Sequence, residues 1–149
     1  MDVIYISVEQ VPAIHAKTVE VSGGGVFGWA DQGEGKLGSV LEHIQNDIYY
    51  PTFLDKITHL FFCANKFHCF QDGNKRIAIA LSAQFLLLNG HVLCASNFIR
   101  EMENISYHLA AGKIDKEFLR DIIEAVINES YDDNEELKLR LLNAIQGDL

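Results

Sequence analysis

The stretch His68-Cys69-Phe70-Gln71-Asp72-Gly73-Asn74-Lys75-Arg76 decides how this chain is read. Its nine residues hold a histidine suited to general-base work, a carboxylate, a glycine turn, an amide and two adjacent cations. Ile77 to Leu88 follow as an apolar helical run. A turn rich in backbone N–H groups that feeds a helix N-terminus is a ready anion site. With a carboxylate for a hard metal ion beside it, the natural ligand is a metal-bound nucleotide phosphate. The reaction suited to such a ligand is transfer of part of the nucleotide to a hydroxyl.

Each residue has a chemical reading and an ordinary one. His68 is the candidate general base, a role worth about 10² to 10⁴ in rate; a lone histidine after an apolar helix is more often structural. Asp72 is the candidate Mg²⁺ ligand, since magnesium takes one or two carboxylates together with phosphate oxygens; it is also placed to cap the helix after it. Gly73 lets backbone approach phosphate oxygens closely, and Asn74 can donate to a phosphate oxygen and help close the turn. Lys75 and Arg76 supply positive charge where negative charge develops in phosphoryl transfer. In so acidic a chain, a bound anion explains two cations at the head of an apolar helix better than a solvated surface does. Phe70 reads as a core anchor for the loop, and Cys69 and Gln71 are given no role.

Upstream, Thr52 and Asp55 form a capping-box pattern that predicts a buried helix through Phe53, Leu54, Ile57, Leu60, Phe61 and Ala64. Leu37, Val40, Leu41 and Ile44 are spaced for another helix, ending before Tyr49-Tyr50-Pro51. Ser22 to Gly38 holds most of the chain's glycines, around Val26, Phe27 and Trp29, and reads as a loop or short hairpin. Val3 to Ile6 is expected to be a short strand. Ser7 is expected to open a helix with Gln10 as its capping partner, starting late or bending at Pro12.

Downstream, Asn89-Gly90 ends the apolar helix. His91 to Ala95 is expected to be a short strand, and Asn97 to Ala111 and Asp115 to Glu129 two amphipathic helices. The tail from Tyr131 opens acidic and continues with Leu137, Leu139, Leu141, Leu142 and Ile145. No repeat or linker divides the chain. The expectation is a domain over residues 1–130, with 131–149 an acidic helical extension of the same domain.

Composition bounds the rest. At 149 residues and 48% hydrophobic content, one packed domain is expected. Twelve basic against 21 acidic residues give a formal charge of -9, which argues against a binder of nucleic-acid backbones. Three cysteines, Cys63, Cys69 and Cys94, form no regular framework and read as reduced thiols. The first residues carry no basic flank or signal-length apolar run, and the segment Ile77 to Leu88 is too short to span a bilayer. A cytoplasmic protein that engages no membrane and no nucleic acid is expected.

The signature resembles that of the Fic/Doc (Fido) family, H-x-F-x-[D/E]-[G/A]-N-x-R, matched at His68, Phe70, Asp72, Gly73, Asn74 and Arg76. The resemblance implies a mainly α Fido helical bundle with a short β-hairpin flap that holds the target peptide. Val26, Phe27, Gly28 and Trp29 would belong to that flap; the bland alternative is a loop whose aromatics fold back onto the core. It implies ATP as nucleotide substrate, Mg²⁺ at Asp72, His68 as base, and Gly73, Asn74, Lys75 and Arg76 as the phosphate cradle. AMP-transferring Fic proteins usually have glycine before the arginine and a second arginine three residues later. Here those places hold Lys75 and Ile79, which looks like the Doc branch of death-on-curing toxins. Doc-like chains also share an early helix bearing a histidine, here His15, the glycine-rich segment, a helix like Lys36 to Gln45, and a stretch like Ala110 to Ile114.

The Doc resemblance implies transfer of the γ-phosphate to a serine or threonine hydroxyl of a protein target, elongation factor Tu being the family's known one. The nearest alternative is AMP transfer to a protein hydroxyl. A non-catalytic interaction protein is another, and so is a metal-binding module built on His59, Cys63, His68 and Cys69. The inhibitory pattern [S/T]-x-x-x-E-[G/N] of many Fic proteins is missing; Ala30 to Gly35 has the Glu-Gly ending without the hydroxyl residue. Restraint in trans by a small antitoxin is therefore expected, with cover from the acidic tail as the alternative.

Overall fold

The computed structural model describes residues 2–21 and 25–147. Among them lie seven α-helices: α1 (Val11–Val21), α2 (Gly33–His43), α3 (Phe53–Lys66), α4 (Asn74–Leu88), α5 (Val92–Ala110), α6 (Lys116–Ile127) and α7 (Glu135–Gln146). The mainly α architecture expected from the sequence is what forms among the described residues.

Helix ends follow local chemistry. Thr52 Oγ1 accepts from the Asp55 amide at 3.1 Å, and Asp55 Oδ2 accepts from the Thr52 amide at 3.2 Å, the reciprocal box expected for α3. At the end of α4 the His91 amide reaches Leu86 O at 2.9 Å and the Gly90 amide reaches Leu87 O at 3.3 Å, with Gly90 at φ +85°. This left-handed closure satisfies the last carbonyls, and glycine adopts it without a Cβ penalty. Asp115 caps α6 through Phe118 N at 2.8 Å, and Asn134 caps α7 through Leu137 N at 3.0 Å.

The core is built on α3 and α4. Ile57, Leu60, Phe61, Ala78, Leu81, Phe85 and Leu86 are all buried there. Helices α2, α5 and α6 pack on α3, while α1 and α5 pack on α4. The N-terminus of α4, where the signature loop ends, is thus surrounded by three other helices. Lys56 is fully buried but not wasted: its Nζ donates to Ile44 O and to Asp47 Oδ1, each at 2.7 Å, and lies over the Tyr5 ring. Burial presses its pKa down, but the Asp47 and Tyr5 interactions outweigh that and leave it above the ordinary value.

Four local expectations are corrected. Val3 to Ile6 forms no strand; Ile4 N and O instead bond to the Asn89 side chain at 2.8 and 2.9 Å, so an amide takes the place of a partner strand. His91 to Ala95 is not a strand either, because the Gly90 closure restarts the chain as α5 at Val92, with Cys94, Ala95 and Phe98 turned inward at helical spacing. The second half of the glycine-rich segment is helical from Gly33. The expected β-hairpin flap is not formed among the described residues. Trp29 makes one isolated antiparallel bridge to Phe70, and Ser22, Gly23 and Gly24 lie outside the described residues. Ser7 and Gln10 do pair, Ser7 N to Gln10 Oε1 at 2.9 Å, but the first turn is a 3₁₀ turn and the α-helix begins at Val11.

The tail packs on α6. Tyr131, Leu137 and Leu141 join the core, Arg140 pairs with Asp121 at 2.8 Å, and its guanidinium lies 4.1 Å from the Phe118 ring centroid. Deleting residues 131–149 uncovers Phe118 and is expected to lower Tm by several degrees in a thermal melt, consistent with the loss of two or three buried side chains worth about 1.5–3 kcal/mol each.

A second cluster ties α3 to α6. Lys116 Nζ donates to His59 Nδ1 at 2.7 Å, which leaves the Nε2 proton for Tyr50 Oη at 3.2 Å; Cys63 Sγ lies 3.5 Å from Nε2. Burial, then the charges of Lys116 and His43, bring His59 down from 6.5 to about 4. His59 is therefore neutral in the fold, while the unfolded chain takes up its proton near pH 6.5. Its contribution to stability is complete above that pH and is lost as the pH falls through about 4. In melts from pH 7 to pH 4, His59→Gln is expected to show a shallower loss of Tm than the parent protein.

Candidate active site

The signature loop is held by its own amide and by a stack of rings. Asn74 Oδ1 accepts from Phe70 N at 3.0 Å and its Nδ2 donates to Phe70 O at 2.9 Å, so one side chain clasps both polar groups of Phe70. The Phe70 ring is buried between His15 at 3.8 Å and Trp29 at 4.3 Å, with interplanar angles of 9° and 15°. Each such contact is worth about 0.5–1.5 kcal/mol beyond area burial. Phe70 is the anchor the sequence predicted.

The glycine-rich segment runs antiparallel alongside. Ala30 N donates to Cys69 O at 2.9 Å, and Gln71 N to Gly28 O at 3.2 Å. Trp29 folds back onto the core, while Val26 and Phe27 remain exposed at 53% and 57%. Gly33 opens α2 directly against the loop: a Cβ there would lie 1.8 Å from Cys69 O.

Asp72 does not cap α4; Gly73, at φ +79°, takes the N-cap position. Asp72 Oδ1 accepts from Gly73 N at 2.8 Å and Oδ2 from Val26 N at 3.4 Å. Each carboxylate oxygen keeps a lone pair for a further ligand. Lys75 and Arg76 are exposed on the first turn of α4, where the helix presents N–H groups without intrahelical acceptors.

A cleft of about 1220 Å³ opens from this turn between α1, α4 and α5. Asp72, Gly73, Asn74, Lys75 and Arg76 form one end of its lining, and Ile79, Ala83 and Leu87 of α4 continue it. Lys17 on α1 and Arg100 on α5 add cations from the two sides. His68 is exposed, at φ +50°, and is not part of the cleft lining. No described residue of the tail lines the cleft.

The family model described as Fic/DOC family matches residues 5–86, more than half of the chain. This chain belongs to the Fic/DOC family. The match spans α1 through most of α4, and so includes the glycine-rich segment and the whole signature. No curated protein matches the chain. As a Fic/DOC protein it is a Fido-domain transferase of a family that modifies protein targets with a nucleotide or a phosphate, using nucleotide substrates such as ATP. No helix among the described residues is long and apolar enough to cross a membrane.

Among the described residues, no group of three or more His, Cys, Asp or Glu side chains could hold a metal ion. His59 and Cys63 do adjoin, but the Lys116 ammonium already occupies the His59 Nδ1 lone pair, and Cys69 faces the Gly33 turn while His68 is exposed. Burial pushes the Cys69 thiol up, with Lys36 opposing, so it is a poor nucleophile. A single carboxylate beside a helix N-terminus has the chemistry to fit Mg²⁺ that arrives with phosphate ligands of its own.

The sequence did not flag Gly33, Ser106 or Lys17, and gave His15 only as a point of resemblance. A buried histidine on the inner face of α1 was the one available sign. The Gly33 contact is expected to be intolerant of a side chain: Gly33→Ala must displace the Cys69 carbonyl, at a cost of about 1–3 kcal/mol. A chemical-denaturation curve with the midpoint of the parent protein would refute this.

Proposed function

We propose that this protein is a Doc-like phosphotransferase that moves the γ-phosphate of ATP to a serine or threonine hydroxyl of a protein target. The observation that carries the reading is the pair Lys75 and Ile79 on the wall of the cleft. A lysine one residue before Arg76 puts charge where an AMP transferase would leave space for the diphosphate. An apolar side chain stands where that enzyme's second arginine would reach for phosphate. The nucleotide then has more cationic contact at its terminal phosphates and presents the γ-phosphorus to the acceptor.

In this mechanism His68 accepts the hydroxyl proton as the oxygen attacks. A bond forms from that oxygen to the γ-phosphorus, the bond to the β,γ-bridging oxygen breaks, and ADP leaves with its electron pair. Gly73, Asn74, Lys75, Arg76 and the first amides of α4 hold the phosphate oxygens. Asp72 would hold Mg²⁺, which neutralises phosphate charge when bound. The exposure of His68 suits a base that must meet a side chain delivered by another protein. Val26 and Phe27, exposed beside Asp72, suit a surface for that target. Residues 1–130 would form the catalytic domain and 131–149 an extension that stabilises it. With no inhibitory pattern in the chain, restraint by a small antitoxin in trans, in the cytoplasm, completes the proposal.

The test is the intact mass of elongation factor Tu after incubation with this protein, ATP and Mg²⁺, beside a His68→Ala control. A phosphate-sized gain that requires His68 is the expected result, with activity of the variant reduced by about 10² or more. An AMP-sized gain would move the protein to the nucleotidyl transferases. No gain would reject this target, and the same assay on whole lysate would then read the transferred group.

A further inference from the structure

Behind the signature turn, two buried polar residues outside the signature hold its backbone. His15 on α1 is 1% exposed, and its Nε2 lies 2.7 Å from Asp72 O. A carbonyl can only accept, so Nε2 carries the proton and the tautomer is fixed. The same nitrogen lies 3.5 Å from where a Cβ on Gly73 would sit, so the ring is packed directly under the turn. On the far side Ser106 Oγ donates to Lys75 O at 2.7 Å, and is itself held by Asn65 Nδ2 at 2.8 Å.

The His15 bond has a consequence one peptide plane away. In a trans peptide the C=O of one residue and the N–H of the next point in opposite directions. Drawing the Asp72 carbonyl inward therefore turns the Gly73 N–H outward, and that N–H donates to Asp72 Oδ1 at 2.8 Å. A continuous relay runs from the His15 imidazole through the Asp72–Gly73 peptide to the Asp72 carboxylate. We propose that His15 is the positioning residue for Asp72: it fixes the peptide whose N–H orients the carboxylate, and so sets how well that carboxylate takes a metal-bound phosphate. This rests on the nucleotide reading of the site.

Two substitutions separate the donor from the ring. His15→Phe keeps a flat ring against Phe70 and removes the N–H. His15→Gln removes the ring and keeps an amide N–H of similar reach. Calorimetric titration of ATP at a series of Mg²⁺ concentrations gives the Mg²⁺ level needed for half-maximal binding. His15→Phe is expected to raise it roughly 10- to 100-fold, as loss of an outer partner of a metal ligand does, and His15→Gln to recover most of that. Equal Mg²⁺ dependence in His15→Phe and the parent protein, or a loss in His15→Gln as large as in His15→Phe, would overturn the assignment. Hydrogen exchange at the Gly73 amide, measured without nucleotide, reads the relay independently. Faster exchange in His15→Phe but not in His15→Gln is expected, and unchanged exchange in His15→Phe overturns the role. Absence of ATP binding by the parent protein at every Mg²⁺ level would sink the nucleotide reading instead, while the exchange measurement would still decide what His15 does to the turn.

Discussion

Everything at the head of α4 depends on the burial of one ring. Phe70 lies between His15 and Trp29, so a single aromatic side chain joins α1, the glycine-rich segment and the signature loop. The loop needs that grip because its backbone is not in an easy conformation. His68 sits at φ +50° and Gly73 at φ +79°. Glycine accepts such values freely, but histidine does so at a cost, and an unfavourable backbone persists only where the surroundings over-determine it. The Asn74 clasp on Phe70 and the close seat of Gly33 on Cys69 supply the remaining constraint.

Held in this way, the turn presents one electrical face. The Phe70 carbonyl is taken by Asn74, the Asp72 carbonyl by His15, the Gly73 carbonyl by Ile77 N, and the Lys75 carbonyl by Ser106. With these carbonyls occupied from behind, the first turn of α4 and the positive end of its dipole are what a ligand meets. The side chains reinforce this. Lys17, Lys75, Arg76 and Arg100 line the cleft against Asp72 and Glu103, four of the chain's 12 cations against two of its 21 acids. A protein of formal charge -9 therefore carries a locally cationic cleft. That concentration suits a compact anion, while the acidic remainder of the surface disfavours an extended polyanion.

Much of this was legible in the sequence, because local chemistry writes local patterns. The capping box at Thr52, the Asn89-Gly90 stop, the buried faces of α3 and α4 and the signature itself need only short-range residue types. What escaped was tertiary. His91 to Ala95 has strand-like composition, yet the Gly90 closure and the inward spacing of Cys94, Ala95 and Phe98 make it a helix. Gly33 looked like one glycine of a loop, and only the approach of Cys69, thirty-six places later, gives it a specific reason to be glycine. Ser106 and Asn65 are ordinary helical residues until the helices that carry them meet behind Lys75. Lys56, on which the sequence reading was silent, is the buried tie between α2, α3 and the N-terminal segment.

The anchors of the two halves of the site meet at the Phe70 ring. The glycine-rich segment reaches the signature loop through the Trp29 stack, the backbone bonds at Cys69 and Gln71, and the long contact from Val26 to Asp72. The α4 N-terminus has further ties of its own, to His15 from α1, Ser106 from α5 and Asn74 from within, and the Phe70 ring, stacked on both Trp29 and His15, couples the two sets. Moving Trp29 would therefore uncover Phe70, the residue that Asn74 clasps at the head of α4. Of the residues proposed for chemistry, His68, Asp72, Lys75 and Arg76 are exposed, while His15 and Ser106 behind the turn are buried. Under the proposed function, an acceptor side chain can meet these exposed groups while the support of the turn stays inside the fold.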